Sequence, residues 1–181
     1  MKQTEKILGV LIVLLVSLRL VYSYPYAAVL ITLLSLVLSM LYFGFSFALL
    51  NNIRFRNILK KGAFKGISTL RVLGAIFTGF LLSNTVIYCL FKFQRWPYGN
   101  EGLLISIYGL AIVIIIALIK YITTKHSFYK SLLIRLFIIG VTAVSLYQLS
   151  YNELLKMKHR DNPEYIKEQQ QLILEDTLQN H

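Results

Sequence analysis

The stretch "LFKFQRWPYGNEGLL" (residues 90–104) separates two long apolar runs and brings cations, aromatic rings, a proline and a carboxylate together. Such a stretch is either a functional site in a membrane protein or the turn at which a chain leaves and re-enters the bilayer. Aromatic rings with polar tips favour the headgroup level, and long cationic side chains reach phosphates from just inside it. Proline presets a tight turn and removes an N–H that lipid could not satisfy. The residues therefore favour a turn between two membrane spans.

The apolar runs on either side indicate the class of protein. The chain has 181 residues, of which 56% are hydrophobic and 15% are charged, and its mean hydropathy is +0.63. The longest runs reach the roughly 20 residues that a helix needs to cross about 30 Å of hydrocarbon. The composition predicts an all-α integral membrane protein.

Five apolar segments predict about five transmembrane helices. The first follows Lys2 and Lys6 and resembles the start of a signal peptide, but no small-residue cleavage site follows it. We interpret it as an uncleaved first helix. The apolar segments are residues 7–22, 27–50, 72–91, 102–119 and 131–151. The predicted organisation is a first hairpin (1–50), a basic connection (51–71), a second hairpin (72–119), a basic loop with a fifth helix (120–151) and a polar helical tail (152–181).

The cations predict the orientation of the chain in the membrane. Residues 51–71 contain six Lys or Arg residues and residues 120–135 contain four, whereas the turn at 23–26 contains none. By the positive-inside rule, both basic connections and the N-terminus are cytoplasmic. Five crossings then place the tail outside, although the tail's own cations favour the opposite side.

The net charge of +11 belongs to the membrane part, because residues 152–181 are slightly acidic. The cations stand at the ends of apolar runs, where anionic lipid headgroups explain them more simply than nucleic acid does. Membrane lipids at the cytoplasmic face are therefore the predicted partners, and nucleic acid is not.

The first four segments form an apparent internal repeat. Tyr24-Pro25-Tyr26 aligns with Trp96-Pro97-Tyr98, and each turn lies between two apolar runs. Both hairpins enter from the same side, so they predict two parallel helical-hairpin repeats. The residues predicted to contact the interface or lipid headgroups are Arg19, Tyr24, Lys92, Arg95, Trp96, Tyr98, Lys60 and Lys61.

The stretch "LFKFQRWPYGNEGLLISIYGLAI" (90–112) resembles the FKxxHWPG…LLxxG hairpin of Bacteroidetes membrane proteins, including the GldL-type subunits of the gliding and type IX secretion motor. The resemblance implies a multi-pass protein of the bacterial cytoplasmic membrane and a subunit role in an envelope complex. Arg95 stands where the motif usually has His, and the fifth segment and tail are additional. The motor subunit has a glutamate midway along its second helix, but residues 27–50 and 102–119 contain no Asp or Glu. The resemblance to the motor subunit therefore does not imply that this chain conducts ions.

Patterns typical of catalytic and metal sites are missing from the sequence. A single cysteine, Cys89, cannot form an intramolecular disulfide, and the three histidines lack the spacing of a metal site. We therefore predict no enzyme activity, no cofactor and no metal. Arg19 and Arg135 lie near the ends of spans and are predicted to snorkel, while Ser83, Asn84, Thr85 and Gln148 are typical of hydrogen bonds between helices.

The tail contains a helix start, because Asp161 or Asn162 can cap a helix that begins at Pro163. This tail is either a solvated spacer or a helix that docks a partner protein. A narrow apolar stripe is formed by Ile166, Ile173, Leu174 and Leu178. Residues 51–71 mix apolar side chains with cations and are compatible with a basic amphipathic helix on the membrane surface.

These observations predict a non-catalytic multi-pass subunit or scaffold. The alternative is a small-solute or lipid transporter or channel component. Transporters usually show Gly- or Pro-broken helices and buried charge near the midplane. Here the prolines lie outside the apolar segments, and the sequence indicates no buried charge.

Overall fold

The computed structural model describes residues 2–22, 24–60, 62–160 and 162–179, with side chains of the last range described as far as Leu172. These residues form seven α-helices and one short 3-10 helix, and no strand occurs among them. In chain order the helices are α1 (Lys2–Val21), α2 (Ala27–Leu50), α3 (Thr69–Gln94), α4 (Gly99–Thr124), α5 (Ser127–Gln148), α6 (Tyr151–Lys158) and α7 (Pro163–Gln179). The predicted all-α class is confirmed.

Four of these helices, α2 to α5, are long and apolar enough to cross a membrane, with mean hydropathies from 1.6 to 2.9. The protein is therefore a multi-pass membrane protein. Helix α1 has 20 residues, but its ends carry Lys2, Glu5, Lys6 and Arg19. Its apolar middle is shorter than that of the other four helices.

The helices extend beyond the apolar segments that predicted them. Helix α3 begins at Thr69 rather than residue 72 and ends at Gln94 rather than residue 91. A helix continues into the headgroup region because polar side chains and water satisfy its ends there, so hydropathy marks only the hydrocarbon part.

Helices α2 and α3 form the centre of the bundle, α1 packs on α2, and α4 and α5 pack on α3 and on each other. The central pair approaches closely because the contact contains small residues. A Cβ added to Gly79 would lie 2.0 Å from the Cβ of Ser46. The Oγ atoms of Ser39 and Ser83 share a hydrogen bond of 2.8 Å, which confirms a helix–helix role for Ser83.

The two ends of the bundle differ in chemistry. We call the end that carries residues 51–60 and 62–68, the α4–α5 junction and the start of α1 the basic side. There Arg71 Nη1 lies 3.2 Å from His126 Nε2, which joins the two basic connections. We call the opposite end, with residues 24–26 and 95–98, the turn side.

The basic connection does not form the amphipathic helix that its composition suggested. Its described residues contain one 3-10 helix, Phe55–Asn57, followed by turns. Gly62 and Gly66 adopt left-handed backbone conformations, with φ of 86° and 83°, which interrupt any continuous helix. The ring of Phe55 lies 5.1 Å from that of Phe45, so an aromatic contact holds the connection against α2.

Besides the predicted helix start near residue 162, the chain has a second helix break, between α5 and α6. Helix α5 ends at Gln148, and Ser150 and Glu153 form a capping box that starts α6. Helix α7 begins at Pro163, as predicted, and Asn162 Oδ1 accepts a hydrogen bond of 3.2 Å from the Tyr165 backbone N–H. The other predicted cap, Asp161, lies outside the described residues.

Candidate functional site

The turn at residues 95–98 brings several predicted contact residues together. Helix α3 ends at Gln94, and the next residue, Arg95, adopts a left-handed conformation with φ of 66°. The Trp96 ring packs edge-on against Phe91 at 5.1 Å and remains 43% exposed. Lys92 is buried and donates a hydrogen bond to Asn100 Oδ1 across the turn. Of the predicted set, Trp96 is therefore placed as an interfacial residue would be, whereas Lys92 is occupied within the turn.

Tyr98 has an unusual backbone for its residue type. Its φ of 61° lies in the left-handed region, and its side chain is 76% exposed. This conformation favours glycine, because a Cβ makes it less stable by about 1 kcal/mol. Tyr98 therefore places a bulky, exposed ring at a position where the backbone conformation favours glycine.

The first turn has the same geometry at the aligned position. Tyr26 has a φ of 60° and is 77% exposed, and it directly precedes α2 as Tyr98 precedes α4. Tyr24 Oη donates a hydrogen bond of 3.0 Å to the Leu15 carbonyl of α1. Burial raises the pKa of the Tyr24 phenol, while the nearby Arg19 lowers it. The two turns thus share a left-handed tyrosine and an aromatic residue folded back on the preceding helix.

Helix α6 closes the turn side of the bundle and was not expected to be packed. Its Leu154 and Leu155 are 1% and 0% exposed. Lys158 Nζ donates a hydrogen bond of 2.9 Å to the backbone carbonyl of Phe93. The same ammonium lies 4.8 Å from the centroid of the Phe93 ring. Because Phe93 is in the last turn of α3, its carbonyl has no partner within the helix. The ammonium of Lys158 therefore caps α3, where a cation is also favoured by the helix dipole.

Positive charges are concentrated around this cap. Burial, together with the neighbouring Arg19 and Arg95, lowers the pKa of Lys158 to about 8. The pKa of His159 is lowered by burial and by the same cations. The Arg95 guanidinium lies 3.8 Å over the Tyr151 ring, so the cation at the end of α3 also holds the start of α6.

A second polar cluster lies inside the bundle near the basic side. Arg135 Nε and Nη2 donate hydrogen bonds of 2.6 and 2.9 Å to the two carboxylate oxygens of Glu5. Tyr42 Oη donates a third, of 2.8 Å, to Glu5 Oε1. The side chains of Arg135 and Glu5 are only 12% and 10% exposed. The prediction that Arg135 snorkels and that the spans bury no charge is therefore wrong.

The depth of this cluster follows from its place in the helices. Arg135 and Tyr42 each lie eight residues, roughly 12 Å at 1.5 Å per residue, from the basic-side end of their helices. The pair connects α1 to α5, whose main neighbours are α2 for α1 and α3 and α4 for α5. A bidentate ion pair at this depth ties the first helix to the last long helix of the bundle.

An apolar cleft of about 750 Å³ runs beside the ion pair. Helices α1 and α5 form its walls, and Leu38 and Tyr42 of α2 form its floor. Lys2, Lys6 and the Glu5–Arg135 pair lie at its basic-side end. The other lining residues on the two walls are Gly9, Val10, Val13, Leu14, Ser131, Ile134, Ile138 and Ile139.

The predicted contacts in the basic connection are only partly described. Lys60 is exposed beside Leu59, which is 97% exposed. An exposed apolar side chain next to a cation at the basic side is the pattern expected at a lipid interface. Lys61 lies outside the described residues.

Sequence reasoning missed Glu5, Tyr42 and Lys158. Glu5 had a detectable signal, because Glu5 and Glu101 are the only carboxylates among the first 152 residues. A lone carboxylate in the first helix invites a cationic partner inside the bundle, and Arg135 is the cation placed furthest into a span. Lys158 had no comparable signal, because its partner is a backbone carbonyl.

Among the residues that the structure describes, no group of three His, Cys, Asp or Glu side chains could hold a metal ion. The features on which function can be argued are therefore the helical tail on the turn side and the cleft on the basic side. Comparison of the chain with protein-family models, with curated proteins and with solved structures finds no match.

Proposed function

We propose that the protein is a non-catalytic subunit or scaffold of an envelope complex in a bacterial cytoplasmic membrane, and that α7 binds its partner. The observation that carries the proposal is the position of α7 on the bundle. Among the described residues, α7 packs mainly against α6, and the His159 and Tyr165 rings lie 4.6 Å apart where the two helices meet. An isolated helix of 17 residues is marginal in water, so α7 gains stability mainly by laying its apolar stripe on another surface.

Helix α6 supports this proposal because it fixes where α7 starts. Two buried leucines and the Lys158 cap hold α6 on the bundle, and its capping box separates it from α5. A solvated spacer would need none of these contacts. Helix α6 is packed on the bundle, whereas α7 makes few contacts within the chain, so α7 is positioned to bind another protein.

The five-crossing arrangement is part of the proposal. Helix α1 is joined to the span α5 by the Glu5–Arg135 ion pair, so it lies beside the spans over its first turns. With α1 as a crossing, both basic connections are cytoplasmic, and α6 and α7 lie on the outer side.

The proposal also includes the internal repeat of two hairpins and the relation to the FKxxHWPG membrane proteins. The left-handed Tyr26 and Tyr98 support two related hairpins, since each stands at the same point before its helix. Tyr98 also follows Pro97 directly, where the FKxxHWPG motif has glycine. Arg95, which replaces the usual histidine, contacts Tyr151 at the start of α6. The replacement and the extra helices are therefore parts of one local arrangement.

A lipid or small-solute transporter or channel component is the second candidate. The buried Glu5–Arg135 pair and the cleft beside it favour this candidate more than the sequence did. The pair is mutually neutralised, and α2 to α5 are each continuous helices without a Gly or Pro break. We therefore favour the subunit or scaffold role over the transporter or channel role.

The test is in vivo crosslinking followed by mild solubilisation and purification of the full-length chain. Deletion of residues 162–181 should leave membrane insertion intact and remove the crosslinked partner. The double variant Ile166→Gln/Ile173→Gln, which replaces two of the four residues of the apolar stripe, should weaken or remove the partner as the deletion does. The matched control Glu164→Gln/Lys167→Gln changes polar positions of the same helix and should retain the partner.

Two outcomes would count against the subunit. If the purified full-length protein carries no crosslinked protein, the transporter or channel component becomes the favoured function. A crosslinked protein that the deletion retains would assign the contact to another surface.

A further inference from the structure

We propose that the cleft between α1 and α5 is a binding site for one anionic phospholipid, with an acyl chain along its apolar length and the headgroup at Lys2 and Lys6. This site goes beyond the proposed subunit function, because it lies at the opposite end of the bundle from α7. It holds whether or not the tail binds a partner.

The shape of the cleft fits an acyl chain of one leaflet. From Lys2 to Leu14 the cleft follows α1 for roughly 18 Å, at 1.5 Å per residue. Half of a hydrocarbon core of about 30 Å is roughly 15 Å, so the cleft spans the depth of one leaflet. Its volume of about 750 Å³ is in the range of specific ligand sites.

The walls of the cleft are apolar and open sideways to the bilayer. Val10 and Val13 of α1 are each 65% exposed, and Ile134 and Ile138 of α5 are 53% and 59% exposed. A Cβ added to Gly9 would meet nothing within 4 Å. The missing side chain at this position leaves room between the walls just below the lysines.

The charge at the entrance selects the headgroup. Glu5 and Arg135 neutralise each other through their bidentate contact, so Lys2 and Lys6 carry the net positive charge there. Both lysines are exposed, and they are one turn apart on α1. Two long flexible cations above an apolar groove match a phosphate headgroup with no positive charge of its own. A zwitterionic headgroup would bring its own cation and gain less.

The experiment is native mass spectrometry of the full-length protein, released from nanodiscs that contain equal amounts of phosphatidylglycerol and phosphatidylcholine. The protein should retain one phosphatidylglycerol preferentially. Lys2→Gln/Lys6→Gln should reduce that retention about 30-fold (about 2 kcal/mol), since each cation near the surface contributes about 1 kcal/mol. Lys120→Gln/Lys125→Gln removes two exposed lysines from the same side, at the end of α4 and away from the cleft, and should leave the retention unchanged.

A second pair of variants tests the apolar part of the site. Gly9→Leu should obstruct the cleft just below the lysines and reduce preferential retention. Gly140→Leu places the same side chain in the smaller groove between α4 and α5, where a Cβ also meets nothing within 4 Å, and should retain the lipid. Thermal unfolding of each variant shows that the fold persists.

Three results would overturn the site. Equal retention of phosphatidylcholine would mean that the groove holds ordinary surrounding lipid. Equal losses in both double-lysine variants would assign the effect to general surface charge. Equal retention in the Gly9 and Gly140 variants would place the lipid elsewhere.

Discussion

The Glu5–Arg135 pair provides the sharpest test of the packing, because a snorkelling arginine and a paired one predict opposite results. Arg135→Met removes two hydrogen bonds to Glu5 and leaves its buried carboxylate with the Tyr42 hydroxyl as its remaining described donor. Removal of one member of a buried ion pair costs about 3 kcal/mol or more, because the other charge stays buried without compensation. A loss of this size lowers the folded-to-unfolded ratio about 100-fold.

The same geometry predicts an ordered series of variants. Tyr42→Phe removes one hydrogen bond and should cost about 1 kcal/mol. The double variant Glu5→Gln/Arg135→Met removes both charges and should be more stable than Arg135→Met alone, with a coupling of about 2 kcal/mol. The measurement is reversible unfolding in mixed micelles, with the free energy of unfolding compared across the double-mutant cycle.

Ser39→Ala is the matched control, because it removes an interhelical hydrogen bond without a charge. Such bonds in membrane proteins average about 0.6 kcal/mol. If Arg135→Met unfolds no more easily than Ser39→Ala, or if the cycle shows no coupling, the pair contributes nothing and Arg135 reaches the membrane surface instead.

Three further predictions concern the packing and the orientation of the helices. Gly79→Ala should destabilise the protein by about 1–3 kcal/mol in the same unfolding assay, because its Cβ would overlap Ser46. The control Gly74→Ala places its Cβ in open space and should be neutral or slightly stabilising. Equal effects of the two variants would contradict the close α2–α3 contact. Lys158 has a lowered pKa, about 8, so the folded state releases its proton first and thermal stability should rise as the pH rises from about 8 to 10.5. Lys158→Met should lose that rise, and a rise that persists in this variant would assign the titration to another group. Reporter fusions at Lys125 should indicate cytoplasm and those at Asn100 the outside; a cytoplasmic signal at Asn100 would exclude the five-crossing arrangement.

Much of the secondary structure was predictable because hydropathy and helix caps are local properties. The second apolar segment, 27–50, coincides with α2, and Asn162 and Pro163 start α7 as predicted. The break before α6 was also readable, since Ser150 and Glu153 have capping-box spacing, but the apolar run across residue 149 concealed it. The basic connection failed as a helix because composition does not report the left-handed glycines that interrupt it.

The sequence by itself determined that the chain is an all-α membrane protein with cations gathered in two connections, because burial in lipid demands long apolar helices. The tertiary structure alone decided which polar groups meet. Glu5 and Arg135 are 130 residues apart, and Lys158 reaches a carbonyl 65 residues away. Spacing along one helix carries no information about such partners, because helix packing sets their distance. The same packing leaves α1 and α5 far enough apart to form the cleft, which no local pattern could reveal.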